Sequence, residues 1–248
     1  MTADARRRVR GVVLLATRNA NKAREIRAIY AHLHLDIITL NDRPEVGELP
    51  ERGITYAENA ASKAAAAAAA TGLVAIADDS GIEIDALAGA PGPHSRRFLG
   101  DEATDDERNR HILALLADVP DDRRTARYRA AVAVASPGRA PRVFEGLCEG
   151  KVARAPRGRR GFGYDPMFVA TQDGRTMAEL SFEEKNRISH RARALRAAEP
   201  YLLWVIAAAA GEERHAPGAN TRTGAPGTPA FSQPDTDGWD ESSSGGRR

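Results

Sequence analysis

Up to residue 210 the chain alternates short runs of β-branched and aliphatic residues with stretches of helical character, and across 211–248 it holds no Ile, Leu, Val or Met. That alternation restricts the fold: strands separated by helical segments close into a sheet with helices laid against it, an α/β architecture. Runs at 12–16, 36–40, 73–77, 127–135, 142–148 and 167–170 predict six strands. Thr55 with Glu58, Thr104 with Glu107 and Ser181 with Glu184 have the spacing of capping boxes, in which hydroxyl and carboxylate satisfy orphan N–H groups at a helix start. The helices they open are expected to run to about Thr71, Asp118 and Ala198. Ser136-Pro137-Gly138 is a turn signal that makes 127–135 and 142–148 an antiparallel hairpin, so the sheet is mixed. Residues 1–210 are expected to form one domain with room for two lobes. The Gly-, Pro- and Ser-rich segment 211–248 cannot bury enough apolar surface to offset its ordering entropy, and is expected to be a disordered tail.

Charge and cysteine usage exclude several classes. The chain carries 36 Lys and Arg against 34 Asp and Glu, a net +2; the segment 211–248 has 4 against 6, or −2, which leaves 1–210 at +4. That surplus is too mild to mark a nucleic-acid protein by itself. Cys148 is the only cysteine, which rules out an intramolecular disulfide and a Cys-x-x-Cys zinc site and fits a reducing compartment, with the cytoplasm as the expected location. The apolar run after the Arg-rich 6–10 is shorter than the roughly 7–15 residues of a signal-peptide core. The longest apolar stretch, 201–210, is about half the ~20 residues of a membrane-spanning helix. No membrane partner is expected.

Only Lys22, Lys63, Lys151 and Lys185 among the cationic residues are lysines. In an arginine-rich background a lysine is either chance or a place where a compact ammonium acts as a point charge, for instance against phosphate. Three of the four fall in segments notable on other grounds. Thr17-Arg18-Asn19-Ala20-Asn21-Lys22 joins a strand run to a helical one, and a helix N-terminus offers backbone N–H groups and a positive dipole end to phosphate. The plainer reading is a capped polar turn; no Walker pattern exists. Asn59 and Lys63 share one helical face, with Glu58 and Ser62 on an adjoining one, which alone reads as a solvated stripe on an Ala-rich helix. Ala77-Asp78-Asp79-Ser80-Gly81 sets two carboxylates at the end of a hydrophobic run, where open α/β sheets bind ligands; they suit Mg²⁺ as hard oxygen donors, a cap or turn being the alternative. Asp85, among Ile82, Ile84 and Leu87, reads as structural. Gly161-Phe162-Gly163-Tyr164-Asp165-Pro166 suits either stacking on a base, with Asp165 accepting from a ring N–H, or core packing. Lys185 and His190 lie about 140° apart on an ideal helix, so one face presents both only through long side chains or a break between them.

Thr17-x-Asn19-x-x-Lys22, Glu58-Asn59-Ala60 with Lys63, Ala77-Asp78-Asp79-Ser80-Gly81, Gly89-x-Pro91-Gly92, Phe162-Gly163-Tyr164-Asp165-Pro166 and Lys185-x-x-x-Ser189-His190-Arg191 resemble, in order and spacing, the inosine triphosphate pyrophosphatase family. The likeness covers about residues 11–200. It implies an elongated mixed β-sheet flanked by helices, with two lobes and a cleft between them, and a homodimer. It implies Mg²⁺-dependent hydrolysis of non-canonical purine triphosphates (ITP, dITP, XTP) to monophosphate and pyrophosphate, which cleanses the nucleotide pool. Carried over by motif, Thr17, Arg18, Asn19, Ala20, Asn21, Lys22 and Lys63 would hold the triphosphate, with Ser80 contributing. Asp79 would accept the proton of the attacking water and ligate magnesium, with Glu51 as a second carboxylate. Phe162, Gly163, Tyr164, Asp165, Lys185, His190 and Arg191 would enclose the base. Arg160 stands where a smaller residue is expected, and the segment after Gly211 is an addition.

The chemistry is consistent. A triphosphate bears about four negative charges, which lysines and Mg²⁺ offset. Donors from His190 and Arg191 suit a 6-oxo purine and oppose the 6-amino group of adenine; nothing in the sequence accounts for rejection of guanine. Two rivals are an enzyme for other modified or pyrimidine triphosphates, and a nucleic-acid module built on 154–160 and the basic N-terminus. The second supplies no reason for Asp78 and Asp79.

Overall fold

Each run of β-branched residues becomes a strand, and each capping box opens a helix. The computed structural model describes residues 11–211 except 52, 171 and 172. The strands are β1 (Val12–Leu15), β2 (Asp36–Thr39), β3 (Val74–Ile84), β4 (Thr125–Ala135), β5 (Arg142–Val152) and β6 (Phe168–Val169). The helices are α1 (Ala20–Ile29), α2 (Tyr56–Thr71), α3 (Asp105–Leu115), α4 (Phe182–Ile188) and α5 (His190–Ala209). The six-stranded sheet runs β2-β1-β3-β4-β5-β6, with β1 parallel to β2 and β3 and every later pairing antiparallel. It is the expected mixed sheet. Thr55, Thr104 and Ser181 each accept the backbone N–H of the glutamate three residues on, and each glutamate returns the bond.

Two boundaries differ from expectation for instructive reasons. β3 continues to Ile84, seven residues past the hydrophobic run, so Asp78, Asp79, Ser80 and Gly81 lie inside a strand, not in a loop beyond it. Their backbone pairs in register with Val132, Ala131, Ala130 and Arg129 of β4, and long-range pairing overrides the local polar composition. The helix opened at Ser181 stops at Ile188; Ser189 is extended (φ −65°, ψ 152°), and its side chain caps α5 through the N–H of Ala192. α5 then continues to Ala209, beyond the expected Ala198, because Leu202, Val205 and Ile206 are buried on the sheet.

Strand alternation divides the core. Val13, Leu15, Val74, Ile76, Ala130 and Val132 face α1 and α5, whereas Leu14, Ala16, Ala75, Ala77, Ala131 and Ala133 face α2. Alanine meets alanine on the second face: Ala60, Ala64, Ala67 and Ala68 of α2 are buried there, so the Ala-rich helix is a close-packed wall. A third cluster forms further along the same long strands, around Ile82, Ile84, Tyr128, Cys148, Val152 and Phe168. Between the clusters, β3 carries Asp78, Asp79, Ser80 and Gly81, and this polar waist is where a cleft opens. All described residues belong to one compact unit. Cys148 is buried, and among the described residues no helix is long and apolar enough to cross a membrane. The expected tail at 212–248 and the basic 6–10 lie outside the described residues.

Candidate active site

Side chains on a strand alternate, so adjacent Asp78 and Asp79 leave β3 on opposite faces and enter different environments. Asp79 meets α2. Lys63 Nζ donates to Asp79 Oδ1 at 2.9 Å and to Glu51 Oε1 at 2.8 Å, and Asn59 Nδ2 donates to Asp79 Oδ2 at 3.2 Å. The Asn59 amide is itself oriented, since its Oδ1 accepts from Gly53 N at 2.8 Å. Both helical residues are buried, which overturns the reading of a solvated stripe. Burial works against the charges of Lys63 and Glu51, and their mutual attraction, with Asp79, more than offsets it. The ammonium is held above and the Glu51 carboxyl below the usual value. Glu58 and Ser62, on the outer face, serve only the helix start.

Asp78 faces α1 and α5. It accepts Lys22 Nζ at 2.7 Å and Arg191 Nε and Nη2 at 3.1 and 3.3 Å. Full burial would raise its pKa, yet Arg191 and Lys22 hold it far below the carboxylate range. Arg191 reaches on to Glu25 and to Ser80 Oγ, so four hydrogen bonds engage its five N–H groups. Glu25 also accepts Lys185 at 2.8 Å, and Lys185 pairs with Asp165. A buried chain of alternating charge thus links Lys22 to Asp165. Glu25 had no part in the sequence reading; its one signal there is its place three residues after Lys22, on the same side of a helix.

The aromatic segment divides between slot and core. Phe162 is half-buried in the cleft wall, with Lys185 Nζ 4.7 Å and Arg191 Cζ 5.5 Å from its ring centroid. Tyr164 is buried, its hydroxyl donating to Ser95 O at 2.7 Å, so core packing accounts for its ring. Asp165 accepts Phe162 N at 2.9 Å and thereby orders the loop. α3 clamps the same loop: Asp105 accepts Gly163 N at 2.7 Å, and Asn109 donates to Gly163 O at 3.0 Å. His190 lies flat on Tyr128, centroids 4.5 Å apart and planes 12° apart. Burial, helped by neighbouring Arg191, depresses its pKa well below 6.5, so the ring is neutral, and its Nδ1 has no hydrogen-bond partner among the described residues. The break at Ser189 answers the 140° difficulty, because Lys185 and His190 stand on separate helices.

The loop at 17–22 needs two corrections. The Arg18 guanidinium turns away and donates to Leu40 O and Val46 O, so it braces the fold instead of offering charge to a ligand. The helix N-terminus is also less open than expected: Asn19 Oδ1 takes the N–H groups of Asn21 and Lys22, and Thr17 Oγ1 takes that of Asn19. Here the cation, more than free amides, is what the loop presents.

These groups surround one cleft of about 450 Å³. Of the residues proposed from sequence, only Arg18, Ala20 and Lys63 do not line it, and Lys63 reaches it through Asp79 and Glu51. Asn59, Gly81, Ser95, Arg96, Arg97 and Arg108 join the wall, and the two arginines at 96 and 97 were not singled out from sequence. Among the described residues no three His, Cys, Asp or Glu side chains gather as a closed metal cage; the cleft offers instead the two hard carboxylates of Glu51 and Asp79.

Residues 13–201 match the Ham1 family. The chain belongs to that family. It is 51% identical over 183 residues to the dITP/XTP pyrophosphatase of Symbiobacterium thermophilum, and 48% over 183 residues to that of Geobacillus kaustophilus; each match covers 74% of this chain and 90% of the relative. A HAM1 protein of Coxiella burnetii shares the fold with a TM-score of 0.70 at 40% identity, over 78% of this chain and 98% of that one. The nucleoside-triphosphatase / dITP/XTP pyrophosphatase of Mycobacterium abscessus aligns with a TM-score of 0.62 at 42% identity, over 76% and 99%. The resemblance drawn from the motifs holds, and with it the mixed-sheet fold. Within this Ham1 protein the unexpected Arg160 is exposed, its guanidinium on the carbonyl of Glu179, away from the cleft wall.

Proposed function

We propose that this Ham1 protein hydrolyses dITP, XTP and ITP between the α- and β-phosphates, releasing the monophosphate and pyrophosphate. One observation carries the reading: a single cleft joins the Lys63–Asp79–Glu51 cluster to a slot walled by Phe162, Lys185 and His190. The names of the relatives agree with it.

Asp79 is the proton acceptor for the attacking water. Lys63 and Asn59 hold one carboxylate oxygen each, which fixes its plane before substrate arrives. Glu51 and Asp79 fit Mg²⁺, which takes one or two carboxylates plus substrate phosphates and needs no closed cage. When bound, the ion offsets phosphate charge and polarises the reacting phosphorus. Asp78 takes no part in proton transfer, since its pairing with Arg191 and Lys22 keeps it ionised and committed. At the other end Phe162 supplies a ring face, Lys185 and neutral His190 the polar edge, and Arg191 at most one uncommitted N–H. A donor facing the 6-oxo group of hypoxanthine or xanthine meets the amino group of adenine instead. An unpaired buried donor costs about 1–3 kcal/mol, or roughly 5–150-fold per contact. The same reading takes the protein to be a homodimer, on the family resemblance alone, and to act in the cytoplasm, which its single cysteine fits.

The nucleic-acid alternative loses its footing at 154–160. Arg154 pairs with Asp121 at 2.6 Å and Arg157 with Glu179 at 3.3 Å, so the stretch is partly neutralised. Purified protein incubated with dITP, XTP, ITP, GTP, ATP and pyrimidine triphosphates, with and without Mg²⁺, tests the proposal. Monophosphate and pyrophosphate are expected from the first three, with Mg²⁺ only. Release of orthophosphate, or ATP turned over as fast as dITP, would sink it.

A further inference from the structure

The cations singled out from sequence are already spoken for. Lys22 pairs with Asp78, Lys63 with Glu51 and Asp79, Lys185 with Glu25 and Asp165, and Arg191 with Asp78 and Glu25. Arg108, also in the cleft wall, pairs with Asp105 and donates to the carbonyls of Phe98 and Gly100. These five cations face six carboxylates, a net of one negative charge before a ligand of about four negative charges enters. A divalent ion does not cover the deficit.

Two cations in the wall remain, Arg96 and Arg97, on the turn after Ser95. The turn is anchored at both ends. Ser95 Oγ accepts Ile82 N at 3.0 Å and donates to Gly92 O at 2.6 Å, Tyr164 holds the Ser95 carbonyl, and buried Arg108 holds the carbonyls of Phe98 and Gly100 at 2.9 and 3.1 Å. Arg96 leans back on its own loop, toward Asp101 O at 3.5 Å. Arg97 is exposed at the mouth and makes no side-chain hydrogen bond or ion pair with the described residues. It lines the same cleft as Glu51 and Asp79, and its charge adds, after those of Lys63 and Lys22, to the pull that holds the Glu51 carboxyl low.

We propose that Arg97 is the phosphate-gripping residue for the terminal phosphates and hence for the departing pyrophosphate, an assignment resting on the triphosphate reading of the cleft. A guanidinium matches two phosphate oxygens at once, and an unpaired one gives up no protein partner to do so. Charge builds on the leaving pyrophosphate as the anhydride breaks, so the contact strengthens through the reaction.

Calorimetric titration of inorganic pyrophosphate and of dIMP, each with Mg²⁺, into wild type, R97Q, R97K and R110Q tests this without turnover. Arg110 is an exposed arginine of α3 outside the cleft wall and controls for general charge. R97Q is expected to weaken pyrophosphate about 10–100-fold, with dIMP changed less than about twofold; R97K falls between, R110Q matches wild type, and kcat/KM for dITP drops with R97Q. Equal pyrophosphate affinity in wild type and R97Q, or a parallel loss for dIMP, overturns the assignment. Wild type that binds pyrophosphate through Arg97 yet cleaves no dITP overturns the pyrophosphatase reading and leaves the Arg97 contact standing. Wild type that binds no pyrophosphate overturns both.

Discussion

Gly146 touches no reacting group, yet replacing it with alanine should damage the site. It lies in β5 opposite Ala130, and the first turn of α5 crosses directly over it. A Cβ there would sit 2.1 Å from the carbonyl oxygen of His190 and 2.6 Å from Ala194 N, against 3.4 Å or more for ordinary contact. Both are backbone atoms, so no side-chain rotation relieves the clash, and the start of α5 must rise by more than 1 Å. The glycine is not in the left-handed region, so the effect is steric alone. Overpacking of this kind costs about 1–3 kcal/mol. The displaced turn carries His190 and also Arg191, whose two bonds to Asp78, from Nε and Nη2, are already 3.1 and 3.3 Å long; a misplacement of about 1 Å is worth roughly 100-fold in rate. Urea unfolding and steady-state hydrolysis of dITP read the two effects, with Gly47→Ala, whose Cβ meets nothing within 4 Å, as the neutral control. If G146A keeps both the midpoint and kcat/KM of wild type, α5 is not seated on β5 as described and the positioning argument fails.

Asp79→Asn should remove nearly all turnover while an imido analogue of dITP still binds within a few-fold of wild type; substantial residual turnover would take the proton-acceptor role away from Asp79. Asp78→Asn should destabilise the fold by about 3–5 kcal/mol, because it leaves buried Arg191 and half-buried Lys22 undercompensated; a loss below about 1 kcal/mol in urea would contradict the buried-pair description. Stability should fall as pH drops below about 6.5, since the unfolded chain protonates His190 there while the folded ring stays neutral. Depressed Asp78 and Glu25 add a second loss below about pH 4, where the unfolded carboxylates take up protons that the folded ones refuse. His190→Gln should flatten the first limb by about 1.4 kcal/mol per pH unit, measured as unfolding free energy against pH; an unchanged slope would mean that another group titrates.

The strands, the three capped helices and the β4–β5 hairpin were legible because their signals are local: a β-branched run, a hydroxyl three residues before a glutamate, a Ser-Pro-Gly turn. The length of β3 was not, since Asp-Asp-Ser-Gly reads locally as a turn and becomes strand only by pairing with residues some fifty positions later. The break at Ser189 was invisible for a related reason: its extended backbone is held by packing on both sides, and serine forbids neither state.

Sequence alone determined which residue types stand at which spacing, and therefore the family resemblance, the sheet class and most of the residues that line the cleft. Tertiary structure decided the division of labour. It set Asp78 to hold the frame and Asp79 to face the cleft, turned Arg18 into a brace and left the Arg97 side chain without a partner among the described residues. Such roles depend on which charges meet across more than a hundred residues of chain, as Arg191 meets Asp78. Pairing energy at that range belongs to the folded arrangement, and neither residue's own neighbours in sequence record it.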